Sequence, residues 1–341
     1  MKRVETDELR AALQNALRAQ LGRPLQVTHM TREVSKYLTS FPIEELSVEL
    51  DDGATLQLIF KNLDWNMLRD EVRQIKPRFL YNAMREVETY RSILPAAPPG
   101  PPFYYGSLLD VVNERYWLFL EKVRGLELYQ IGELDKWHAA AAWLAKLHST
   151  FAGKDAPLRD TAPLLVYDEA FYSRWLHRAR GFAAESNDTP PEAKRDLEWL
   201  AGRYQRVIAR LLELPTTFIH GEFYASNVLI ATDNSDYRVA PVDWEVAAIG
   251  PAVFDLAALT AGTWTAEQQQ EMARAYFDAL PDRSLWPPTF AELLDALDLA
   301  HIAIAVQWLG WAQTWSPPIE TGQNWLGIAL QLARKLGGAT I

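Results

Sequence analysis

The 341-residue sequence predicts an α+β protein of two lobes, a strand-rich N-terminal lobe and a mostly helical C-terminal lobe with one small hairpin. Three observations predict it. Short apolar runs bounded by turn residues crowd the chain before Gly125. After Gly125 the apolar residues take helical spacing. The length exceeds one small core and is comfortable for two.

In chain order, Leu9, Leu13 and Leu17 share one face of a helix over 5–20, with Thr6 or Asp7 as its cap. "VSKYLTSF" (34–41), "LSVELDD" (46–52) and "ATLQLIFKNL" (54–63) read as three strands, with "DDG" (51–53) as a hairpin turn. A helical segment runs from Lys76 to Leu94. "PAAPPGPP" (95–102) is a loop, since proline blocks helix. "FYYGSLLDVV" and "RYWLFLEKV" pair around Asn113–Glu114. The Ala-rich 135–151 is a helix, as are 168–183 and 191–214. "VLI" (228–230) and "RVAPVDW" (238–244) form a hairpin. From about 253 to 338 the chain reads as helices, broken near Trp286–Pro288 and at 316–318.

A net charge of −10 disfavours nucleic acid and anionic membrane as partners. The absence of cysteine excludes disulfides, thiolate metal sites and cysteine nucleophiles. The N-terminal stretch mixes acidic with apolar residues and lacks a signal-peptide core. No apolar run approaches the roughly 18–20 residues of a membrane span. The expectation is a soluble, cytoplasmic protein.

Chemistry gathers at a few positions. Lys61 ends the apolar run "LQLIFK", and Glu86 lies on the following helix. Glu222 and Asn227 flank the polar loop "HGEFYASN" (220–227), and Asp243 closes the hairpin. Phosphoryl transfer from a nucleotide needs these types: a lysine on the phosphates, a helix carboxylate holding it, a carboxylate base, and hard oxygen ligands for magnesium. The Glu222–Asn227 spacing is that of a kinase base and its metal-binding asparagine. A hairpin between Asn227 and Asp243 would return both to one point. Taken singly, each has a plainer reading. His220 suits a hydrogen-bonded structural histidine, Lys61 a solvated strand end, Glu86 an exposed helix carboxylate, and Asn227 a turn cap. Asp243 beside Trp244 is the hardest to explain without a partner. Trp308, Trp311 and Trp315 share a helical face, which reads first as core packing and second as a wall of an acceptor pocket.

"HGEFYASN" followed by "VDWEVAAIGPAVFDLA" (242–257) resembles the aminoglycoside phosphotransferase and choline kinase-like family of small-molecule kinases. "REVETYRSIL", "WLFLEKVRG" and "LAKLHSTF" match its texture in order, from about residue 30 to about 330. The resemblance implies the two-lobed protein-kinase-like fold, ATP or GTP as co-substrate and Mg2+ as cofactor. It implies Glu222 as base, Asn227 and Asp243 as metal ligands, and Lys61 on the α/β-phosphates paired with Glu86. Residues 121–123, Glu121 and Val123 among them, would form the hinge, and His220 and Asp255 would brace the loop. Glu245 beside the metal carboxylate is open to a structural or an acceptor role. The expected division is an N-terminal helix (1–22), an N-lobe (23–122), a hinge and linker (123–130) and a helical C-lobe (131–341). Two departures stand out. The family has Asp where this chain has Glu222, one methylene longer. The turn "TSFPIE" (39–44) has no glycine, which leaves Thr39 and Ser40 to reach phosphate. Two functions follow: an O-phosphotransferase for a small-molecule hydroxyl such as an aminoglycoside, sugar or other natural-product alcohol, or a nucleotide-binding regulatory module without full activity.

Overall fold

In the computed structural model, which describes residues 4–36, 40–233, 236–281, 289–311 and 324–337, the chain opens with helix α1 (Thr6–Leu21). Leu9, Leu13 and Leu17 are all buried, and Gly22 ends the helix in the left-handed conformation. α1 lies against an antiparallel five-stranded sheet. Its strands are β1 (Val27–Val34), β2 (Ile43–Leu50), β3 (Thr55–Asn62), β4 (Tyr104–Asp110) and β5 (Arg115–Glu121), in the order β1-β2-β3-β5-β4. Contact is close: a Cβ on Gly106 of β4 would stand 2.7 Å from the Ala16 Cβ.

The first strand lies earlier than the apolar pattern placed it. β1 is an edge strand on which only Val27 and Met30 are buried, so it shows little apolar alternation. Residues 37–39, and Thr39 with them, lie outside the described residues. The single helix expected over 76–94 is also divided. α2 (Asp70–Ile75) ends before Pro77, which holds Lys76 extended. α3 (Ala83–Glu88) restarts at an Asn82 cap, whose side chain accepts from the Met84 N–H, and runs on as a π-helical turn over Thr89–Ile93.

Beyond the expected hairpin, the strands that complete two small sheets went unread because they are too short to carry a period. β6 (Gly125–Glu127) joins the hairpin of β9 (Val228–Asp233) and β10 (Asp236–Pro241) in the order β10-β9-β6. β7 (Leu165–Val166), β8 (Thr216–Ile219) and β11 (Ala248–Pro251) form the other, ordered β7-β11-β8. Around them pack α4 (Leu134–Phe151), α5 (Asp155–Thr161), α6 (Glu169–Glu185), α7 (Pro191–Leu212), α8 (Val253–Thr260), α9 (Ala266–Asp278), α10 (Phe290–Trp311) and α11 (Trp325–Gly337). The breaks expected near 286–288 and at 316–318 fall outside the described residues.

α10 corrects the expectation that no segment reaches membrane-spanning length. It is long and apolar enough by length and composition, and 72% of its most apolar window is buried inside the protein. Asp295 and Asp298 interrupt a count of consecutive apolar residues. A helix apolar on nearly all sides is what the centre of a helical layer requires.

Candidate active site

Lys61 sits near the end of β3, paired in register with Ile43 and Leu118. Its Nζ lies 2.7 Å from Glu86 Oε1 on α3 and 2.7 Å from Asp243 Oδ1. Lys61 is 4% exposed and Glu86 1%, so each charge depends on the other for compensation. Burial opposes the Lys61 ammonium, but the Asp243 and Glu86 carboxylates outweigh it and hold its pKa above the ordinary value. Burial likewise pushes the Glu86 carboxyl up, against the pull of Lys61. Asp243 is pressed upward by burial and held below the usual carboxylate range by Lys61.

Asp243 adopts φ 66°, a left-handed conformation for a residue with a Cβ, at a cost of about 1–2 kcal/mol. The hairpin fixes it there. β9 and β10 pair Val228 with Pro241, so Asn227 and Asp243 flank the same end. The Val242 N–H donates to the Asn227 carbonyl at 2.9 Å. Asn227 Nδ2 donates to the Glu222 carbonyl at 2.9 Å, which commits the amide nitrogen and leaves Oδ1 for another partner.

The loop before Asn227 is held from beneath. Asp255, buried at the start of α8, accepts the His220 N–H at 2.7 Å and the Gly221 N–H at 2.8 Å. His220 Nε2 is 2.9 Å from the Val242 carbonyl, and its Nδ1 is 3.3 Å from the Glu222 backbone nitrogen. The first contact requires an N–H and the second a lone pair, which defines a neutral tautomer. Burial lowers the His220 pKa in agreement. His148 Nε2 lies 3.3 Å from Asp255 and its Nδ1 2.9 Å from the Tyr276 hydroxyl.

Glu222 is half-buried, and burial together with Glu245 pushes its carboxyl up to about 8, with Lys76 pulling the other way. Lys76 carried no sequence signal. Its Nζ lies 2.6 Å from Glu245 Oε1 and 3.1 Å from Ser40 Oγ, and the Ser40 hydroxyl donates to Glu245 Oε1 at 2.8 Å. Ser40 and Glu245 therefore meet each other. Beyond Glu222, the Tyr224 ring sits 5.6 Å from Trp308, which stacks on Trp325 at 5.6 Å. Trp311 turns away onto Trp175, 5.5 Å distant. Trp315 lies outside the described residues.

Lys61, Asn227 and Asp243 line a cavity of about 300 Å³, walled by Ile43, Ile59, Leu120, Leu229 and Val242 and reaching Glu121 and Val123. These apolar walls alternate with polar residues on short strands, where only the fold brings them opposite one another. Glu121 spends its own N–H on the Phe103 carbonyl, and its carboxylate receives both Arg238 Nη atoms at 2.7 and 2.8 Å. Among the described residues no group of three or more His, Asp or Glu is arranged for a metal. Asn227 and Asp243 offer hard oxygens from two residues. That set suits magnesium, which keeps waters and takes phosphate oxygens for its remaining positions.

The model of the phosphotransferase enzyme family matches residues 68–288. Solved structures share the fold over nearly the whole chain. A macrolide 2'-phosphotransferase from Brachybacterium faecium is 17% identical, with 93% of this chain and 96% of that chain covered and a TM-score of 0.53. A choline kinase from Cryptosporidium parvum Iowa II is 11% identical, with coverages of 98% and 97% and a TM-score of 0.60. The GDP complex of wild-type aminoglycoside 2'-phosphotransferase-IIIa is 12% identical, with coverages of 96% and 98% and a TM-score of 0.56. At these identities the likeness establishes the two-lobed protein-kinase-like fold. No match was found among curated protein sequences.

Proposed function

The chain belongs to the phosphotransferase enzyme family, and on that premise we propose that it moves the γ-phosphate of ATP or GTP to a hydroxyl of a small molecule, an aminoglycoside, a sugar or another natural-product alcohol. The observation that carries the proposal is Lys61, bridged to Glu86 and Asp243 beside Asn227 at the wall of one cavity. Neighbours of the same fold are named as kinases and phosphotransferases, one of them holding GDP. The two lobes would divide as 23–122 and 131–341 around a linker at 123–130. A cytoplasmic setting agrees with the absence of cysteine.

In this reading the adenine or guanine enters between Ile59, Leu120 and Leu229, next to the backbone of Glu121 and Val123. Lys61 neutralises the α/β-phosphates, and Glu86 fixes its ammonium. Asn227 Oδ1 and the second Asp243 oxygen would hold Mg2+, which neutralises charge on the phosphates when bound. Glu222 accepts the proton of the acceptor hydroxyl as its oxygen attacks the γ-phosphorus and the β–γ bridging bond breaks. His220, neutral and bonded at both nitrogens, keeps the loop in register, as does Asp255. Ser40 is held by Glu245 and Lys76, an arrangement that spends its hydroxyl on the protein.

The test is Mg-dependent transfer from labelled ATP and GTP to a panel of hydroxylated acceptors. Glu222→Gln is expected to lower kcat by about 10²–10⁴-fold, the range for a positioned base. Glu222→Asp, which withdraws the carboxylate by one methylene, should fall between Gln and the wild type. A wild type that binds Mg-nucleotide and transfers to no acceptor would instead support the regulatory module.

A further inference from the structure

Lys76 is an expensive residue where it stands. Its side chain is 2% exposed, and burying an ammonium costs several kcal/mol unless it is matched. An apolar side chain between α2 and Pro77 would pack well against Phe41, whose ring centre is 5.8 Å from Nζ. The match is made by Glu245 Oε1 at 2.6 Å and Ser40 Oγ at 3.1 Å. Glu245 is two residues beyond Asp243 and belongs to the carboxylate group around Glu222. Its main chain is also held, the Glu245 carbonyl accepting from Arg85 Nη1 at 2.8 Å.

An acceptor with an amine near its reacting hydroxyl needs a carboxylate with charge to spare. The Glu245 charge is already balanced by Lys76, whose ammonium converges with the Ser40 hydroxyl on Oε1. Two residues past Glu222 the chain turns aromatic, with Tyr224 against Trp308 and Trp308 on Trp325. We infer that Lys76 is a specificity-determining residue that saturates Glu245 from inside the protein, so that the site selects neutral hydroxylated acceptors over amine-bearing ones. The inference rests on the proposed function and narrows its acceptor class, against what the overall charge of −10 alone would favour.

Paired probes test it: glucosamine beside N-acetylglucosamine, and kanamycin beside its fully N-acetylated form. Binding is measured by calorimetry on the full chain with Mg-ADP present, and phosphate transfer is measured separately. The wild type should bind the neutral member of a pair at least tenfold more tightly. Lys76→Met should shift that preference at least tenfold toward the amine-bearing member, and Lys76→Met with Glu245→Gln should restore it. If Lys76→Met does not fold, Glu245→Gln alone carries the comparison, since it leaves the Lys76 charge unmatched and should deepen the rejection of amines by a further tenfold. Preference of the wild type for amines, equal effects on both members of a pair, or no binding of either neutral form overturns the inference. Absence of transfer with the binding preference intact overturns the proposed function instead.

Discussion

At the scale of single residues, Gly221 decides whether the loop "HGEFYASN" can exist. It adopts φ 85°, and a Cβ there would lie 2.6 Å from the Val246 carbonyl oxygen and 3.0 Å from the Tyr167 hydroxyl. Both neighbours are fixed, one as main chain and the other on a fully packed ring. Gly221→Ala should therefore cost roughly 2–4 kcal/mol, the sum of left-handed strain and a contact the packing cannot relieve. Urea unfolding with wild-type and variant midpoints compared at equal slope measures it. An unchanged midpoint would mean that the loop shifts freely and does not hold Glu222 in place. This glycine stands in the quoted motif, and Lys61, Glu86, Asn227 and Asp243 were singled out by residue types and an order that the proposed chemistry would use. Lys76 was not legible: a lysine before a proline looks solvated, and only the fold shows that it is buried against Glu245.

At the scale of elements, helices α8 and α10 are joined by a titratable contact. His301 Nε2 on α10 lies 3.0 Å from Thr260 Oγ1 on α8. Burial lowers the His301 pKa from its ordinary 6.5 to about 4. Between those values the unfolded chain binds a proton that the folded chain refuses. Stability contributed by neutral His301 is thus fully present above pH 6.5 and is lost as pH falls toward 4. Thermal unfolding should show Tm falling over that window, and His301→Gln should flatten the fall while preserving a side chain that can hydrogen-bond Thr260. An identical slope in the variant would assign the acid sensitivity to other groups. Element lengths explain which parts of this layer could be read in advance. α4, α6 and α7 are long and periodic, and their ends were located closely. β7, with two residues, and β6, with three, have no period, yet β6 is the strand that carries the chain from the five-stranded sheet onto the β9–β10 hairpin.

For the whole molecule the question is how a lysine from one sheet and a carboxylate just past the end of another meet at 2.7 Å. Helical packing holds the C-terminal part together, and α1 and the five-stranded sheet enclose an apolar cluster of their own. Something must set one against the other. Arg238 on β10 is placed to do so: it grips the Glu121 carboxylate at the end of β5 with both Nη atoms and donates to the Gly100 and Pro101 carbonyls at 2.7 Å each. The proline-rich loop was predicted only as a break, but its prolines leave carbonyls without competing N–H groups, and Gly100, at φ 151°, admits the Val239 carbonyl at 2.2 Å from where a Cβ would stand. Since a guanidinium fork is geometrically specific, Arg238→Lys keeps the charge and loses the two-pronged grip. The pair is partly exposed, 35% and 27%, so the loss in stability should be modest, about 1 kcal/mol. The loss in transfer should be larger, about tenfold or more in kcat/KM, because phosphoryl transfer depends on Lys61 and Asp243 being held in place. Arg238→Lys, Glu121→Gln and the double variant, compared by Tm and by transfer to the best acceptor, form a cycle. Strong coupling in transfer with weak coupling in Tm is the expected outcome, whereas parallel effects on both would reduce Arg238 to an ordinary surface ion pair and leave the alignment to apolar packing and to the contacts that Lys61, Lys76 and Arg85 make with Asp243 and Glu245.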